Sequence, residues 1–271
     1  MKKTVIDARG STERRLGELW AYRHLLFIFC WRELKVRYKQ TLIGVAWVVL
    51  RPLITVLVLS FIFHRVAGLD AGPVPYPLFV LTGMLAWQFF AVAFAQAAGS
   101  LIVDRNIITK VYFPRLLLPL SNILVAGVDF GVVFLLLLIY AGYSGVALTG
   151  SLFALPLFFG WLVLLTAGAA LLFAALNARY RDFRYIVPIV LQLGFYLSPV
   201  GFAATAVPAE YLPYFGINPM VGIIGGFRWS ILGGPFPGSA SLLYGALVTA
   251  GLVWLGWATF RRTERQLSDI L

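Results

Sequence analysis

The amino-acid sequence predicts an all-α membrane protein with six transmembrane helices. The first observation is composition: 61% of the 271 residues are hydrophobic and 12% are charged, and the mean hydropathy is +0.88. A chain with so little polar surface must use lipid as its solvent, and lipid permits only helices or closed barrels to span it. The second observation is that the apolar runs are continuous over about 20 residues, which excludes the alternating pattern of barrel strands. The third is that basic residues gather in every second joint between those runs.

Six apolar runs are the candidates for these helices. They cover about residues 42–63, 78–103, 116–141, 152–176, 186–204 and 240–260. A helix needs about 20 residues to cross a hydrocarbon core, so each run is long enough. We therefore divide the chain into a cytoplasmic tail with an amphipathic helix, residues 1–39, and a six-span membrane domain, residues 40–271.

The basic residues predict the orientation of the chain. Of its 22 Lys and Arg, nineteen fall in residues 1–39, 104–115, 179–184 and 261–265, on one side of the predicted bundle. The positive-inside rule assigns that side to the cytoplasm. We expect a multi-pass protein of the bacterial inner membrane with both termini in the cytoplasm. The net charge of +11 requires no nucleic acid partner, because topology and contact with anionic membrane lipids account for it.

Apolar and basic side chains alternate at helical spacing before the first span. One apolar stripe has members four or seven residues apart: Leu19, Leu26, Cys30, Leu34 and Tyr38. This pattern predicts an amphipathic helix that lies along the inner leaflet and leads into the first span. Periodicity leaves open whether the helix only anchors the chain or also acts as a lever that contacts a cytoplasmic partner.

The joint between the fifth and sixth spans, residues 205–239, is apolar but interrupted by five prolines and several glycines. Its stretch 220–232 is too short to cross a membrane and carries Arg228. Irregular backbone at membrane depth requires cover from protein or water. We therefore expect a re-entrant or interfacial hairpin on the periplasmic face.

Two charged residues lie inside predicted spans. Arg51 lies about ten residues into the first span, and Asp129 lies near the middle of the third. An intramembrane charge costs several kcal/mol unless it is paired or hydrated, so each marks an interior position. Their similar depth suggests a structural Arg51–Asp129 pair; a role in proton transfer or substrate contact is the alternative.

Several motifs of catalytic chemistry are absent from the sequence. It has no phosphate-binding Gly-rich loop followed by Lys, no His/Glu metal motif and no nucleophile elbow, and Cys30 is its one cysteine. We expect no metal site and no cofactor of its own. Asp129, as the one acid at membrane depth, is a poor basis for proton or sodium coupling. The chain is therefore expected to be a transport subunit, not an enzyme, and ATP-driven transport would need a second protein.

The sequence also resembles a known family. Five stretches carry the likeness in order: WRELKVRYKQTLIGVAWVVLRPL (31–53), PYPLFVLTGMLAWQFF (75–90), KVYFPRLLLPL (110–120), RYRDFRYIVPIVLQLGFYLSPVGF (179–202), and the NPM of residues 218–220 with the following Arg228. Together they resemble the membrane subunit of ABC-2 type ABC transporters, and within that group the exporters of O-antigen, capsule and teichoic acid. The likeness covers most of the chain.

The resemblance implies partners and a coupling region. In this family two permeases form a homodimer, and two copies of a cytoplasmic ABC ATPase bind ATP and Mg²⁺. The segment that matches the family's coupling helix is 104–115, and the loop 179–184 would add contacts. The implied coupling residues are Asp104, Arg105, Lys110, Tyr112, Arg115, Arg181 and Asp182. The alternative is that the basic residues among them only fix the topology.

The resemblance also suggests a substrate path. The apolar faces of sugar rings rest on aromatic rings, so an aromatic-lined path can hold successive sugars weakly. The family likeness implies such rings on the first and fifth spans, where this chain has Trp47, Phe195 and Tyr196. Because aromatic residues make up 15% of the chain, these rings could instead face lipid or form an interfacial belt.

The function expected from these features is the permease subunit of an ABC transporter that exports lipid-linked polysaccharide, as in lipopolysaccharide biosynthesis. An ABC-2 exporter of drugs or lipids is one alternative. A membrane-embedded transferase acting on lipid-linked sugars is another, but the outer loops offer only the scattered His64, Asp70 and Glu210, which form no motif.

Overall fold

The computed structural model describes residues 20–39, 46–146, 150–208 and 210–270. Within these ranges the chain is helical and has no strand, so the all-α prediction is confirmed. The helices are α1 (Arg23–Tyr38), α2 (Ala46–Ser60, continued by a π-helical turn, Phe61–Val66), α3 (Tyr76–Val103), α4 (Arg105–Ile108), α5 (Leu117–Tyr143), α6 (Leu155–Arg179), α7 (Phe183–Tyr196), α8 (Leu212–Phe215), α9 (Pro219–Leu232) and α10 (Ser239–Ile270).

Five segments in the described ranges are long and apolar enough to cross a membrane. They are Ala46–Val66, Tyr76–Val103, Leu117–Tyr143, Gly150–Arg179 and Ser239–Gln266. They coincide with the first four predicted spans and the sixth. The multi-pass character of the chain is therefore confirmed by length and composition.

The predicted fifth span, residues 186–204, is helical over only part of its length. Helix α7 has 14 residues, or about 21 Å at 1.5 Å per residue, which is shorter than a hydrocarbon core of about 30 Å. The chain leaves the helix at Tyr196, and Gly201 then accepts a hydrogen bond from Tyr76 in the first turn of α3. The helical part of this segment thus cannot make the crossing alone, and the six-span count stays a prediction.

Helix α3 occupies the centre of the bundle. Most of its side chains are buried, and it packs against α5, α6 and α9. Small residues such as Ala86, Ala93 and Ala97 let the neighbouring backbones approach. Helices α6 and α10 pack closer still, because Gly168 and Gly256 leave no space between them: a Cβ atom on Gly256 would lie 2.2 Å from the Gly168 carbonyl oxygen.

Helix α9 lies inside the bundle at the end opposite to the 104–115 segment. Asn218 caps it by accepting a hydrogen bond from the Met220 amide, and Pro219 occupies its first turn. It ends at Gly233, whose positive φ of 66° suits a residue without a Cβ atom. The chain then turns back, and Pro237 packs against Gly225 of the same helix. This course fits a hairpin, and its re-entry into the bilayer stays a prediction.

The predicted N-terminal amphipathic helix is present as α1, but its course differs from a helix that merely lies along the membrane surface. Phe29 contacts Phe113 just before α5, with ring centroids 5.3 Å apart. One residue further on, the Cys30 Sγ lies 3.8 Å from the Ser121 carbonyl oxygen, and Arg37 reaches Asp129. From Cys30 to Arg37 the contact moves seven residues along α1, and from Ser121 to Asp129 it moves eight residues along α5, so α1 runs along the first half of α5.

Three basic segments of the chain meet at one end of the bundle, which we call the basic end. Arg115 donates a hydrogen bond to the Glu264 carbonyl oxygen at 2.9 Å. Asn177, near the end of α6, donates to the Ala98 carbonyl oxygen near the end of α3 at 2.8 Å. The 104–115 joint, the α6–α7 loop and the last turns of α10 therefore share this end.

Candidate functional site

The segment 104–115, which we call the coupling joint, is a short constrained connection between α3 and α5. It contains one helical turn, α4, and two apolar anchors, Ile108 and Phe113, which are buried in a cluster at the basic end. Arg105, Lys110 and Tyr112 are exposed, and Tyr112 keeps 62% of its accessible surface. Their positions leave them available to a partner, and the buried anchors tie any force on the joint to the long helices.

The other two predicted coupling residues of the joint point inward. Asp104 is buried and accepts a hydrogen bond from Arg32 of α1 at 2.8 Å. Arg32 also contacts Glu33 at 2.6 Å and lies over the Phe29 ring. Burial raises the pKa of the Asp104 carboxyl above its ordinary value, and the Arg32 guanidinium opposes that rise. These contacts join α1 to the coupling joint.

Arg115 has a comparable internal role, because it donates to the Glu264 carbonyl oxygen of α10. Glu264 lies six residues before the end of α10 at Ile270, so this bond adds to the helix's own hydrogen bonds and links the joint to α10. The coupling joint is thus fastened to α1 through Asp104 and to α10 through Arg115. Of the five predicted coupling residues in the joint, three therefore have exposed side chains and two have side chains that bind other parts of the protein.

The predicted contact loop between α6 and α7 is also exposed at the basic end. Arg181 and Asp182 are exposed, and the chain enters α7 directly after them. Phe183 is held by Phe173, with ring centroids 6.0 Å apart. The loop is therefore short and fixed on the α6 side, with two charged side chains available to a partner.

A cavity of about 290 Å³ lies between α1, α2, α3 and α5. Its polar lining residues are Arg37, Arg51, Gln88, Gln96 and Asp129, and its aromatic lining residues are Trp47, Phe89 and Phe130. Such a mixture of rings and polar groups is typical of sites for small polar ligands. The structure thus brings three predicted residues, Trp47, Arg51 and Asp129, to one cavity.

The predicted Arg51–Asp129 pair is wrong. The Asp129 carboxylate accepts hydrogen bonds from Arg37 and Tyr38 of α1, and Arg37 also donates to Gln96. The physical reason is the course of α1, which carries Arg37 to the depth of Asp129, whereas the prediction compared the depths of spans alone. Burial, followed by the nearby carboxylate, raises the pKa of Tyr38 to about 12, so its phenol keeps the proton that it donates.

Arg51 contributes a second cation to the cavity. Among the described residues it lies in no ion pair, and its backbone oxygen accepts a hydrogen bond from the Thr55 hydroxyl. With Arg37 neutralised by Asp129, the cavity lining carries a net positive charge. Such a lining favours an anionic or hydroxyl-rich ligand over a cation.

The aromatic residues predicted for the substrate path have different surroundings. Trp47 is half exposed and lines the cavity. Phe195 is partly buried and packs on the edge of Trp87, with centroids 5.8 Å apart, an approach that Gly194 permits. Tyr196 follows it and is 68% exposed. No ring contact joins Trp47 to the other two within the described part of the chain.

The comparison with known families decides the identity of this arrangement. The profile described as "ABC-2 type transporter" matches residues 24–232, which is more than three quarters of the chain. This chain belongs to the ABC-2 type transporter family. The match spans α1 to α9 and therefore contains the coupling joint, the cavity and α7.

Individual relatives of this ABC-2 chain match over most of their length. It is 29% identical over 251 residues to the O-antigen export system permease protein RfbA of Klebsiella pneumoniae, covering 91% of this chain and 95% of the relative. It is 27% identical over 258 residues to the RfbA protein of Myxococcus xanthus, covering 94% and 98%. It is 22% identical over 238 residues to the polysialic acid transport protein KpsM of Escherichia coli, covering 87% and 92%.

Sequence reasoning did not single out several residues that line the cavity or hold the coupling joint. Gln88 and Gln96 interrupt an otherwise apolar span, which is a readable signal of a polar interior position. Arg32 and Arg37 were visible only as basic residues of an amphipathic helix, a pattern that does not indicate their partners. Among the described residues no cluster of His, Cys, Asp and Glu is arranged to hold a metal ion.

Proposed function

We propose that this chain is the permease subunit of an ABC transporter that exports a lipid-linked polysaccharide of O-antigen type. The observation that carries the proposal is similarity along nearly the whole chain to permeases named for O-antigen export in two organisms. The similarity to a polysialic acid transport protein extends the same substrate class to capsule polymers. The aromatic and polar cavity supports it, because sugars combine apolar ring faces with hydroxyl groups.

The permease is proposed to lie in the bacterial inner membrane with its basic end in the cytoplasm. The meeting of the coupling joint, the α6–α7 loop and the end of α10 concentrates Lys and Arg at that end. Segments rich in Lys and Arg stay on the cytoplasmic side during insertion. Both termini would then be cytoplasmic.

ATP hydrolysis is proposed to occur on a separate ABC ATPase that binds ATP and Mg²⁺ and docks on the basic end. The docking surface would consist of the exposed side chains of both segments: Arg105, Lys110 and Tyr112 of the coupling joint, and Arg181 and Asp182 of the α6–α7 loop. Asp104 and Arg115 would instead transmit the movement, since they fasten the joint to α1 and α10. A rigid joint passes a push into the fused helices without absorbing it.

The functional unit is proposed to be a homodimer of permeases with two ATPase subunits. Helix α2 exposes a broad apolar face, and α7 buries only Val187 among its 14 residues. The exposed apolar residues on these two helices include Ile54, Leu57, Val58, Phe61, Ile189, Leu193 and Tyr196. A second copy that covered this face would place Trp47, Phe195 and Tyr196 near the contact and provide a conduit for the polymer.

Complex formation with the ATPase tests the proposal. The permease would be co-purified in nanodiscs with the ABC ATPase encoded beside it, as wild type and as the double variant Lys110→Glu/Tyr112→Ala. We expect a two-plus-two complex from wild type and loss of the ATPase from the variant. Tyr143→Ala is the matched control, because Tyr143 is 89% exposed at the opposite end of α5.

Two results would count against the proposal. If the wild-type permease bound no ABC ATPase, the proposed source of energy for transport would be ruled out. Binding with ATPase activity stimulated by drugs or phospholipids, but not by lipid-linked polysaccharide, would favour the other ABC-2 exporters.

A further inference from the structure

Arg228 is a buried arginine whose partners are backbone carbonyl groups. It lies on α9, keeps 7% of its accessible surface and forms no ion pair within the described residues. Its Nη1 donates to the Phe202 oxygen at 3.1 Å and its Nη2 to the Val200 oxygen at 2.8 Å. The guanidinium also stacks on Phe79 of α3, 3.5 Å from the ring centroid. A buried charge held in this way marks a position where its cost is offset by specific contacts.

The carbonyl groups that Arg228 binds belong to the segment that ends α7. We call residues 197–202 the carbonyl joint, because several of their backbone carbonyl groups accept hydrogen bonds from side chains of other segments. Tyr76 donates to the Gly201 oxygen at 2.5 Å, between the two carbonyls held by Arg228. Asn218 donates to the Leu197 oxygen at 3.0 Å. Side chains of α3 and of α9 with its N-cap thus both bind the carbonyl joint.

Neighbouring atoms pack closely against the carbonyl joint at two glycines. A Cβ atom on Gly83 of α3 would lie 2.8 Å from the Val200 oxygen and 3.0 Å from the Arg228 Nη2. A Cβ atom on Gly201 would lie 2.6 Å from the Phe63 ring, which belongs to the π-helical turn after α2. The backbone is therefore fixed by direct contact as well as by hydrogen bonds.

Helix α7 itself is held much less firmly than its end. Only Val187 is buried on it, and Pro188 removes one backbone hydrogen bond from its middle. Its first turn follows the exposed Arg181 and Asp182 at the basic end. Within the protomer, α7 therefore makes few buried contacts between its first residue, Phe183, which packs on Phe173, and the carbonyl joint that follows its last residue.

We propose that Arg228 is a positioning residue that makes the carbonyl joint the pivot of α7. The proposal rests on the proposed function, in which the ATPase pushes on the basic end. Movement of the α6–α7 loop then swings the start of α7, while Phe195 and Tyr196, next to the pivot, keep their places. Rings that stay fixed through the cycle maintain a constant contact with the sliding polymer.

The geometry of the guanidinium explains why this residue is arginine. Its planar fork reaches two carbonyl oxygens two residues apart and stacks on an aromatic face at the same time. Lysine has a single ammonium group and cannot reproduce that combination. Arg228→Lys should therefore restore only part of what Arg228→Met removes.

Hydrogen exchange tests the pivot in the permease–ATPase complex in nanodiscs. In Arg228→Met we expect amide exchange within residues 197–202 to rise by about tenfold or more, as the loss of hydrogen bonds from a charged donor implies. Residues 183–190 should exchange as in wild type. In wild type, addition of a non-hydrolysable ATP analogue should change exchange in 183–190 and leave 197–202 unchanged.

Transport coupling is the readout that a merely structural residue would not alter. Arg228→Met should keep its ATP turnover but export several-fold less polysaccharide per ATP, and Arg228→Lys should lie between it and wild type. Thr249→Val is the matched control, since it removes a buried hydrogen bond of 2.8 Å from Trp161 between α6 and α10, away from α7. It should lower stability without changing the export ratio.

Specific outcomes would overturn the proposal. One is unchanged exchange at 197–202 in Arg228→Met, and another is an export ratio equal to that of the Thr249→Val control. If Arg228→Met does not fold, Tyr76→Phe removes one hydrogen bond from the same joint, and the same changes are expected in smaller size. Absence of ATP-dependent export in wild type would count against the proposed function instead, and the exchange of the joint in the variants would still decide the pivot.

Discussion

Asp129 illustrates how a single acid at membrane depth is accommodated. Its carboxylate receives donors from Arg37 and Tyr38, and Gln96 holds the same arginine from α3. An unpaired carboxylate at this depth would cost several kcal/mol. The contact therefore fastens α1 to the membrane domain, and it is a structural pair in addition to being part of the cavity wall.

The first prediction concerns this pair. Arg37→Gln should lower the free energy of unfolding by about 2 to 3 kcal/mol, because it leaves Asp129 without its charged donor. Unfolding by SDS titration from mixed micelles measures the change. The double variant Arg37→Asp/Asp129→Arg should recover part of the loss.

Arg51→Gln is the control for that prediction. Arg51 lines the same cavity without an ion pair among the described residues, so its loss should cost much less stability. Equal destabilisation by Arg51→Gln, together with rescue by Arg51→Asp/Asp129→Arg, would show that Arg51 is the true partner.

The sequence alone was sufficient to identify Arg51 and Asp129 as interior charges, because charged residues in apolar spans are costly and rare. It was insufficient to pair them. Pairing depends on which helix lies beside α5, and an amphipathic pattern on α1 indicates a membrane-facing helix without indicating its neighbour. The same limit explains why the contact between Arg32 and Asp104 was not predicted.

At the scale of elements, helices α6 and α10 form the closest packed pair. A Cβ atom on Gly168 would lie 2.7 Å from the Val253 amide nitrogen, and one on Gly256 would lie 2.2 Å from the Gly168 oxygen. Small residues at such contacts permit van der Waals packing between membrane helices. The pair thus depends on two glycines that the sequence does not distinguish from others.

The second prediction follows from that contact. Gly256→Ala should lower the free energy of unfolding by about 1 to 3 kcal/mol, because the added methyl group forces the two backbones apart. Gly251→Ala, five residues earlier on α10, is the control, since a Cβ atom there meets nothing within 4 Å. SDS-titrated unfolding of both variants checks the prediction, and equal effects would contradict the packing account.

Helix α7 shows what an apolar run does not reveal. The run 186–204 predicts one long span, yet the helix ends at Tyr196, just before Ser198, Pro199 and Gly201. Hydropathy measures only transfer to lipid, and it registers neither the local Pro199, which has no N–H group to continue the helix, nor Tyr76 and Arg228, which satisfy the released carbonyls. The helical class, the first four spans and the last span could be predicted from hydropathy without knowledge of such contacts.

At the scale of the whole molecule, α2 presents an apolar face that no other described part of the chain covers. The exposed residues of α2 include Ile54 at 54%, Leu57 at 65% and Phe61 at 63%. Lipid can cover such a face, but a conduit for a hydrophilic polymer needs a second wall. The proposed homodimer supplies that wall.

The third prediction is that this face lies at the dimer contact. In a Cys30→Ala background, cysteines placed singly at 54, 57, 58 and 61 should give disulfide-linked dimers in oxidised membranes at one or more positions. Cysteines at Leu243, Leu247 and Trp254, which are equally exposed on α10, should give none. Electrophoresis without reductant measures the outcome, and crosslinks confined to α10 would contradict the proposed arrangement.

The fourth prediction concerns the rigid connection from the ATPase side. Asp104→Asn should preserve ATPase binding but reduce the response of the permease, because it weakens the contact between the coupling joint and α1. Binding affinity and polysaccharide-stimulated ATP turnover measure the two effects separately. Loss of binding in Asp104→Asn would show that Asp104 belongs to the docking surface itself.

Vesicle transport tests the central claim most directly. The permease and its ATPase would be reconstituted with the ATPase facing outward, and lipid-linked O-polysaccharide would be added to the outer leaflet. The account predicts that ATP makes the polymer resistant to an added glycosidase, and that Lys110→Glu/Tyr112→Ala abolishes this protection. Polymer that stays fully cleavable while ATP is hydrolysed by the wild-type complex would contradict the account.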